Sequence, residues 1–166
     1  VEFYVAEQNY ESALNGAGKT LLVRKGCNEW ESWDDANDNA YARSYIDSWL
    51  NSDYKNKLDS DIQNAIGTTN FYYTIGSLNT TVSTLNRAVF LLSVTELGKS
   101  SIWANVEGSP LPIASTLQIF KENSSAVSQW TRSPFKDTYD RTCFLDTSGN
   151  VNIQNCSASS GVRPAF

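Results

Sequence analysis

The chain contains no histidine and no methionine, and only three cysteines and four prolines, in 166 residues. Without histidine the usual general base near neutral pH is missing, and with it every Ser-His-Asp or Cys-His arrangement and most zinc sites. The expectation is a protein that is not an enzyme and that holds no cofactor. Without methionine, Val1 is not a natural start. Because "VEFYVAEQNY" opens directly in strand-like alternation, the chain is expected to be the C-terminal part of a longer polypeptide. Long apolar runs are also missing: the longest, "AVFLLSV", is strand length, well short of the roughly 18 residues a membrane span needs, so no membrane insertion is expected. Positive charge is scarce and scattered, with 13 Lys and Arg against 18 Asp and Glu, a net charge of -5 and a pI near 4.7. A phosphate backbone needs a basic face, so no nucleic-acid partner is expected.

What is present fits one domain over residues 1–166, with 40% hydrophobic residues to build a core. "KTLLVRKG" reads as a strand closed by Gly26, and "NEWESWDDANDNA" as an acidic loop whose Asp and Asn residues suit turns and helix caps. Beyond it, Tyr41, Tyr45, Ile46, Trp49 and Leu50 fall on one helical face, and Leu58, Ile62 and Ile66 repeat the spacing up to a stop at Gly67. "NFYYTIGS" and "AVFLLSV" read as strands, with the polar "LNTTVSTLN" as the connection between them. "GSPLPIAST" reads as a loop or extended segment and "LQIFKENSS" as a short helix that ends in a polar turn. The sum is an α+β domain: two helices packed on a small, mostly antiparallel sheet, with long loops.

The cysteines leave alternatives open. "CFLDTSGNVNIQNC" reads as two strands around a Ser-Gly-Asn turn; one register sets Cys143 opposite Cys156 and permits a disulfide, whereas a slip of one residue throws the two onto different faces. Cys27 is left over and reads as an inert thiol after a strand.

Four motifs stand in order along the chain: "SYIDSWLN", "VFLLSVTELG", "WTRSP" and "GVRPAF". With these, residues from about Leu21 to Phe166 resemble an uncharacterised domain family of Gram-positive bacteria and their phages. That family is similar in turn to the C-type-lectin-like fold in its formylglycine-generating-enzyme branch, which also serves the variable proteins of diversity-generating retroelements. The resemblance implies a C-type-lectin-like fold in which Arg132 and Arg163 lie on neighbouring late strands, held by carboxylates or carbonyls, while Pro134 and Pro164 end ladder pairing. Trp49, Trp130, Arg132 and Arg163 are then structural. The copper chemistry of the enzyme branch needs a close reactive cysteine pair, and the separation of Cys143 from Cys156 in the chain does not supply one.

Between the two Arg-Pro motifs the sequence is rich in Tyr, Asn, Gln and Ser, a composition that combines rigid contact area with adaptable hydrogen bonding. Phe135, Lys136, Asp137, Tyr139, Asp140, Gln154 and Asn155 are the expected ligand-binding residues. The expected function is a binding module on a phage tail or bacterial surface, extracellular, recognising a glycan or protein receptor. The alternative is a structural or decoration domain that associates with itself or with neighbouring virion subunits. No calcium-lectin triplet is present, and "WDDANDN" and "DTSGNVN" are explained by a capping loop and a turn, so no metal is expected. Trp30, Trp33 and Trp103 are left outside the site because tryptophan in a domain of this size is more often core than an exposed platform.

Overall fold

A computed structural model describes all 166 residues. The chain opens with strand β1 (Phe3–Gln8), a single helical turn α1 (Ser12–Asn15) and strand β2 (Thr20–Arg24), followed by β3 (Trp30–Ser32). A 3-10 turn at Tyr41–Arg43 leads into the main helix, which runs as α2 (Tyr45–Trp49), a π-helical stretch at Leu50–Tyr54 and α3 (Lys55–Lys57), and a short helix α4 (Ser60–Ala65) follows. Next come β4 (Thr69–Gly76), β5 (Asn79–Arg87), β6 (Phe90–Leu91), α5 (Ala114–Leu117), β7 (Phe120–Glu122) and β8 (Ser125–Val127). The chain closes with β9 (Gln129–Pro134), β10 (Arg141–Leu145), β11 (Val151–Asn155), β12 (Ser159–Gly161) and β13 (Pro164–Ala165).

The fold is mixed α+β and mostly strand, with few helices, and the strands divide among several small sheets where the sequence suggested one. One sheet has the order β1-β2-β13-β6 and joins the two ends of the chain; a second has the order β11-β10-β9-β12-β3, and β4-β5 and β7-β8 are two-stranded ribbons. All pairings are antiparallel except β12 with β9. Between these layers lies a core that includes Tyr10, Trp33, Tyr41, Trp49, Phe71, Phe90 and Trp130.

The main helix is amphipathic for the reason its spacing gives: Ile46, Trp49, Leu50 and Tyr54 are buried, whereas Tyr45 is turned outward and its hydroxyl donates to Glu31. Ser44 caps it by accepting from the Asp47 amide, and Asp34 in the preceding acidic loop accepts from the Tyr45 amide. At the π-helical stretch Asn51 is drawn off the helix surface: it accepts from the amides of Ala88 and Val89 and donates to the Val89 carbonyl. That ties the helix to the start of β6.

"LNTTVSTLN" is a strand, and not a connection, because Ser83, Leu85 and Arg87 turn inward while Val82, Thr84 and Asn86 turn outward, the period of a half-covered ribbon. "AVFLLSV" is buried as its composition demands, yet only Phe90–Leu91 is strand. Beyond it the Ser93 amide donates to Glu96 and the Val94 amide to Ser133, while the carbonyls of Leu92, Ser93 and Val94 accept from the amides of Arg132, Leu97 and Lys99. The short helix expected in "LQIFKENSS" comes earlier, at Ala114–Leu117, and β7 occupies Phe120–Glu122.

The cysteine alternatives resolve against a bridge. β10 and β11 pair Cys143 with Ile153 and are joined by the longer turn from Asp146 to Asn150, so Cys156 lies beyond the ladder and all three cysteines are free.

Candidate functional site

Four loops and the end of β11 meet at one end of the molecule, and the buried side chain of Asn39 joins them. Its amide nitrogen donates among the carbonyls of Phe135, Thr138 and Arg141 at 3.0, 2.7 and 2.7 Å, and its oxygen accepts from the Ser77 amide at 2.6 Å. The Asn39 backbone N–H adds a bond to the Tyr139 carbonyl at 2.7 Å. One residue thus fixes the loop before β10 and the β4–β5 turn to the acidic loop.

Close approach makes this possible: Gly76 has φ +84°, and a Cβ there would collide with the Asn39 carbonyl. Beside it Asp38 accepts from the Ala40 amide, from Arg43 at 2.6 Å and from the Ser77 hydroxyl. Partial burial raises its carboxyl pKa, but the bonds from Ser77, Arg43 and the Ala40 amide outweigh this and hold it below the ordinary value. The loop between β6 and α5 joins the cluster through two bonds, Lys136 N–H to the Trp103 carbonyl at 3.0 Å and the Asn105 amide to the Thr80 carbonyl at 2.8 Å. Finally the Cys156 carbonyl accepts from the amides of Trp33 and Asp34, and its N–H donates to the Asp140 carbonyl.

The structure brings the seven candidate residues into this one neighbourhood. Phe135 to Asp140 form the braced loop, while Gln154 and Asn155 stand across the ladder from Thr142 and Arg141. Asp137, Tyr139 and Asn155 are exposed; Phe135, Lys136, Asp140 and Gln154 are half-buried. The amide nitrogen of Gln154 and the hydroxyl of Thr138 are buried without a partner.

Sequence reasoning missed the apolar part of this end. Leu78 is 58% exposed, Ile102 79% and Val106 74%, on loops that the bonds above hold together, and they join Tyr139, which was expected and is 59% exposed. Leu78 carries a second anomaly. Ser77 and Leu78 form the two-residue β4–β5 turn with φ of 51° and 67°, the left-handed region that hairpin turns of this kind require and that Asn or Gly normally fills. A branched apolar residue there is both strained and wet. The signal that would have found it is a bulky apolar residue in "GSLN", a tight turn between two strands.

The four residues expected to be structural sit elsewhere. Arg132 is fully buried on β9; its guanidinium makes a paired salt bridge to Glu96 at 2.6 and 2.9 Å and donates to the carbonyls of Tyr72 and Leu91. Glu96 in turn accepts from the Tyr10 hydroxyl. Arg163 is buried against the Phe120 ring at 4.2 Å and donates to the carbonyls of Leu117 and Ile119. Burial without a counter-charge lowers its pKa to about 10. Trp130 is buried, with its indole N–H donating to the Glu31 carbonyl, and Trp49 packs on Tyr54. Trp33 is also core, Trp103 is half-buried and Trp30 is partly exposed near Glu122. A groove of about 650 Å³ lies away from the loop cluster, between the β2 approach and α4, lined by Lys19, Leu22, Ile62, Ile66 and Phe166 among others.

Residues 17–166 match the family described as a domain of unknown function (DUF6273), and the chain belongs to that family. No curated protein and no solved structure matches the chain.

Proposed function

We propose that this family member is a non-enzymatic recognition module whose braced loop end docks on a receptor at a bacterial or virion surface. Leu78 carries the reading: a strained turn residue with an exposed apolar side chain costs stability twice, and such costs are retained where binding uses them. Ile102, Val106 and Tyr139 are exposed on the loops tied to the same cluster, and Asp137, Lys136 and Asn155 supply polar groups at that end. An apolar centre with a polar rim is the anatomy of a protein interface. The aliphatic character favours a protein receptor over a glycan, for which flat aromatic platforms would be expected. The C-type-lectin-like scaffold is supported by the order of the four motifs, by the chain ends meeting in one sheet and by the two buried arginines beside late strands. A non-enzymatic role is supported by the burial of all three thiols.

Whole-cell binding of the labelled chain tests the proposal, with Leu78→Gly and Tyr139→Ala as variants. Leu78→Gly should relieve the left-handed strain and raise unfolding stability by about 1 kcal/mol while reducing cell binding. Tyr139→Ala should leave stability nearly unchanged and also reduce binding. Protease treatment of the cells should abolish binding; persistence after protease and loss after periodate would make the receptor a glycan. Wild-type chain that binds no cell, or variants that bind as it does, would overturn the loop end as the site.

A further inference from the structure

The β4–β5 ribbon has one covered edge and one open edge. Along β4, the Asn70 amide and carbonyl bond to Asn15, the Tyr72 carbonyl accepts from Arg132, and the Thr74 amide donates to Glu107. Asn70, Tyr72 and Thr74 therefore point their backbone groups away from β5. In an antiparallel ladder the residues opposite them do the same on the other side, and these are Asn86, Thr84 and Val82. The amides and carbonyls of Val82 and Thr84, and the Asn86 amide, find no intramolecular partner; the Asn86 carbonyl accepts from Arg87. At the turn end the edge is closed, because Asn105 occupies the Thr80 carbonyl.

Natural edge strands are commonly guarded by charge, proline or brevity. This one is nine residues long, has no proline, and carries charge only at Arg87, which is turned inward to Asp47. The whole stretch from Ala65 to Asn86 contains no Asp, Glu, Lys or Arg, in a chain that is 19% charged overall. From this open, neutral edge we infer that two copies of the chain associate by pairing β5 with β5 about a two-fold axis through Thr84, joining their ribbons into one four-stranded sheet.

The register is set by the free groups. With Thr84 opposite Thr84 of the partner, Val82 falls opposite Asn86, and each outward residue exchanges both of its backbone bonds with its opposite number, leaving none of the free groups unpaired. No like charges oppose each other: Arg87 falls opposite Thr81. Two acidic molecules, each at -5, can thus approach on a surface that carries none of that charge. The exposed Ile102 and Val106 belong to the loop that holds Asn105 against Thr80, and this places them beside the end of the paired edge. The inference rests on the backbone edge of Val82, Thr84 and Asn86, none of which belongs to the receptor surface proposed above.

Sedimentation velocity of the chain over a concentration series tests it. The wild type should form a dimer. Thr84→Lys and Thr84→Glu, each placing like charges opposite at the axis, should each weaken it several-fold, and an equal mixture of the two should restore it. Thr84→Pro, which removes a donor that β4 does not use, should weaken the dimer about tenfold or more without unfolding the ribbon, as circular dichroism would show. A wild type that stays monomeric at every concentration, a dimer indifferent to these variants, or a mixture no tighter than its components would overturn the pairing. Association that appears only with an added peptide or other protein would also overturn the second copy as the occupant.

Discussion

Cys143 and Cys156 illustrate how little a residue's identity says before its neighbours are fixed. Both lie buried near the hairpin, one within the ladder and one beyond it, and neither meets the other. Burial, with Glu107 nearby, pushes the Cys143 thiol up to about 12, and burial with Asp34 and Asp140 nearby pushes Cys156 up as well. Cys27 shifts in the same direction, again through burial. Since the thiolate is the reactive form, the native chain should react only slowly with a disulfide reagent at mildly alkaline pH, and all three thiols should appear on denaturation without reductant. Only one reactive thiol after denaturation would restore the Cys143–Cys156 bridge. Glycine and leucine give the opposite lesson in the ribbon: Gly76 is where the chain needs its lack of Cβ, while the next left-handed positions are given to Ser77 and Leu78.

At the scale of elements, the acidic loop and the β4–β5 turn behave as one unit through Asp38, Asn39 and Ser77. The carboxyl of Asp38 lies below its unfolded value of 3.8, despite the burial that opposes this, because Ser77, Arg43 and the Ala40 amide bond to the charged form. A depressed carboxyl pKa contributes stability that is present above the unfolded value and is lost as pH falls through the folded one. The brace should therefore hold at every pH above about 3.8 and loosen below it. Carboxyl-carbon titration by NMR should place Asp38 below 3.8, and Ser77→Ala should raise it; an unchanged value in the variant would show that the Ser77 bond does not hold the loop. The main helix was legible because its period is local and its cap sits beside it. The strand β5 was not, because Thr, Ser and Asn suit a turn as well as a strand and only pairing with β4 separates the two.

Across the whole molecule, Arg132 connects parts that the chain order keeps far apart: the β4 backbone at Tyr72, the β6 backbone at Leu91, Glu96 and, through Glu96, Tyr10. Its guanidinium also lies over the Phe71 ring at 4.7 Å. Replacing it alone by Met leaves Glu96 buried without its counter-charge and should cost about 3–5 kcal/mol in urea unfolding. The double change Arg132→Met with Glu96→Leu should cost less than the single one, since it removes both charges. A double variant as unstable as the sum of its parts would mean that the pair is not coupled. The two Arg-Pro motifs thus look alike in sequence and differ in place: Arg132 has a carboxylate, whereas Arg163 has only carbonyls and an aromatic face.

The amino-acid sequence by itself determined the α+β class, the main helix, the strands with clear alternation, the family through its ordered motifs, and the polar loop that carries Phe135 to Asp140. The family rests on the order of its motifs along the chain; each of the others rests on periodicity or composition within a short window, where local physical preferences act. Tertiary structure alone decided the hairpin register that separates Cys143 from Cys156, the carboxylate that holds Arg132, the closing of four loops around Asn39, and the open edge of β5. Those depend on groups that meet from distant parts of the chain, and no local preference encodes which buried carbonyl an amide will reach or which strand edge will be left without a neighbour.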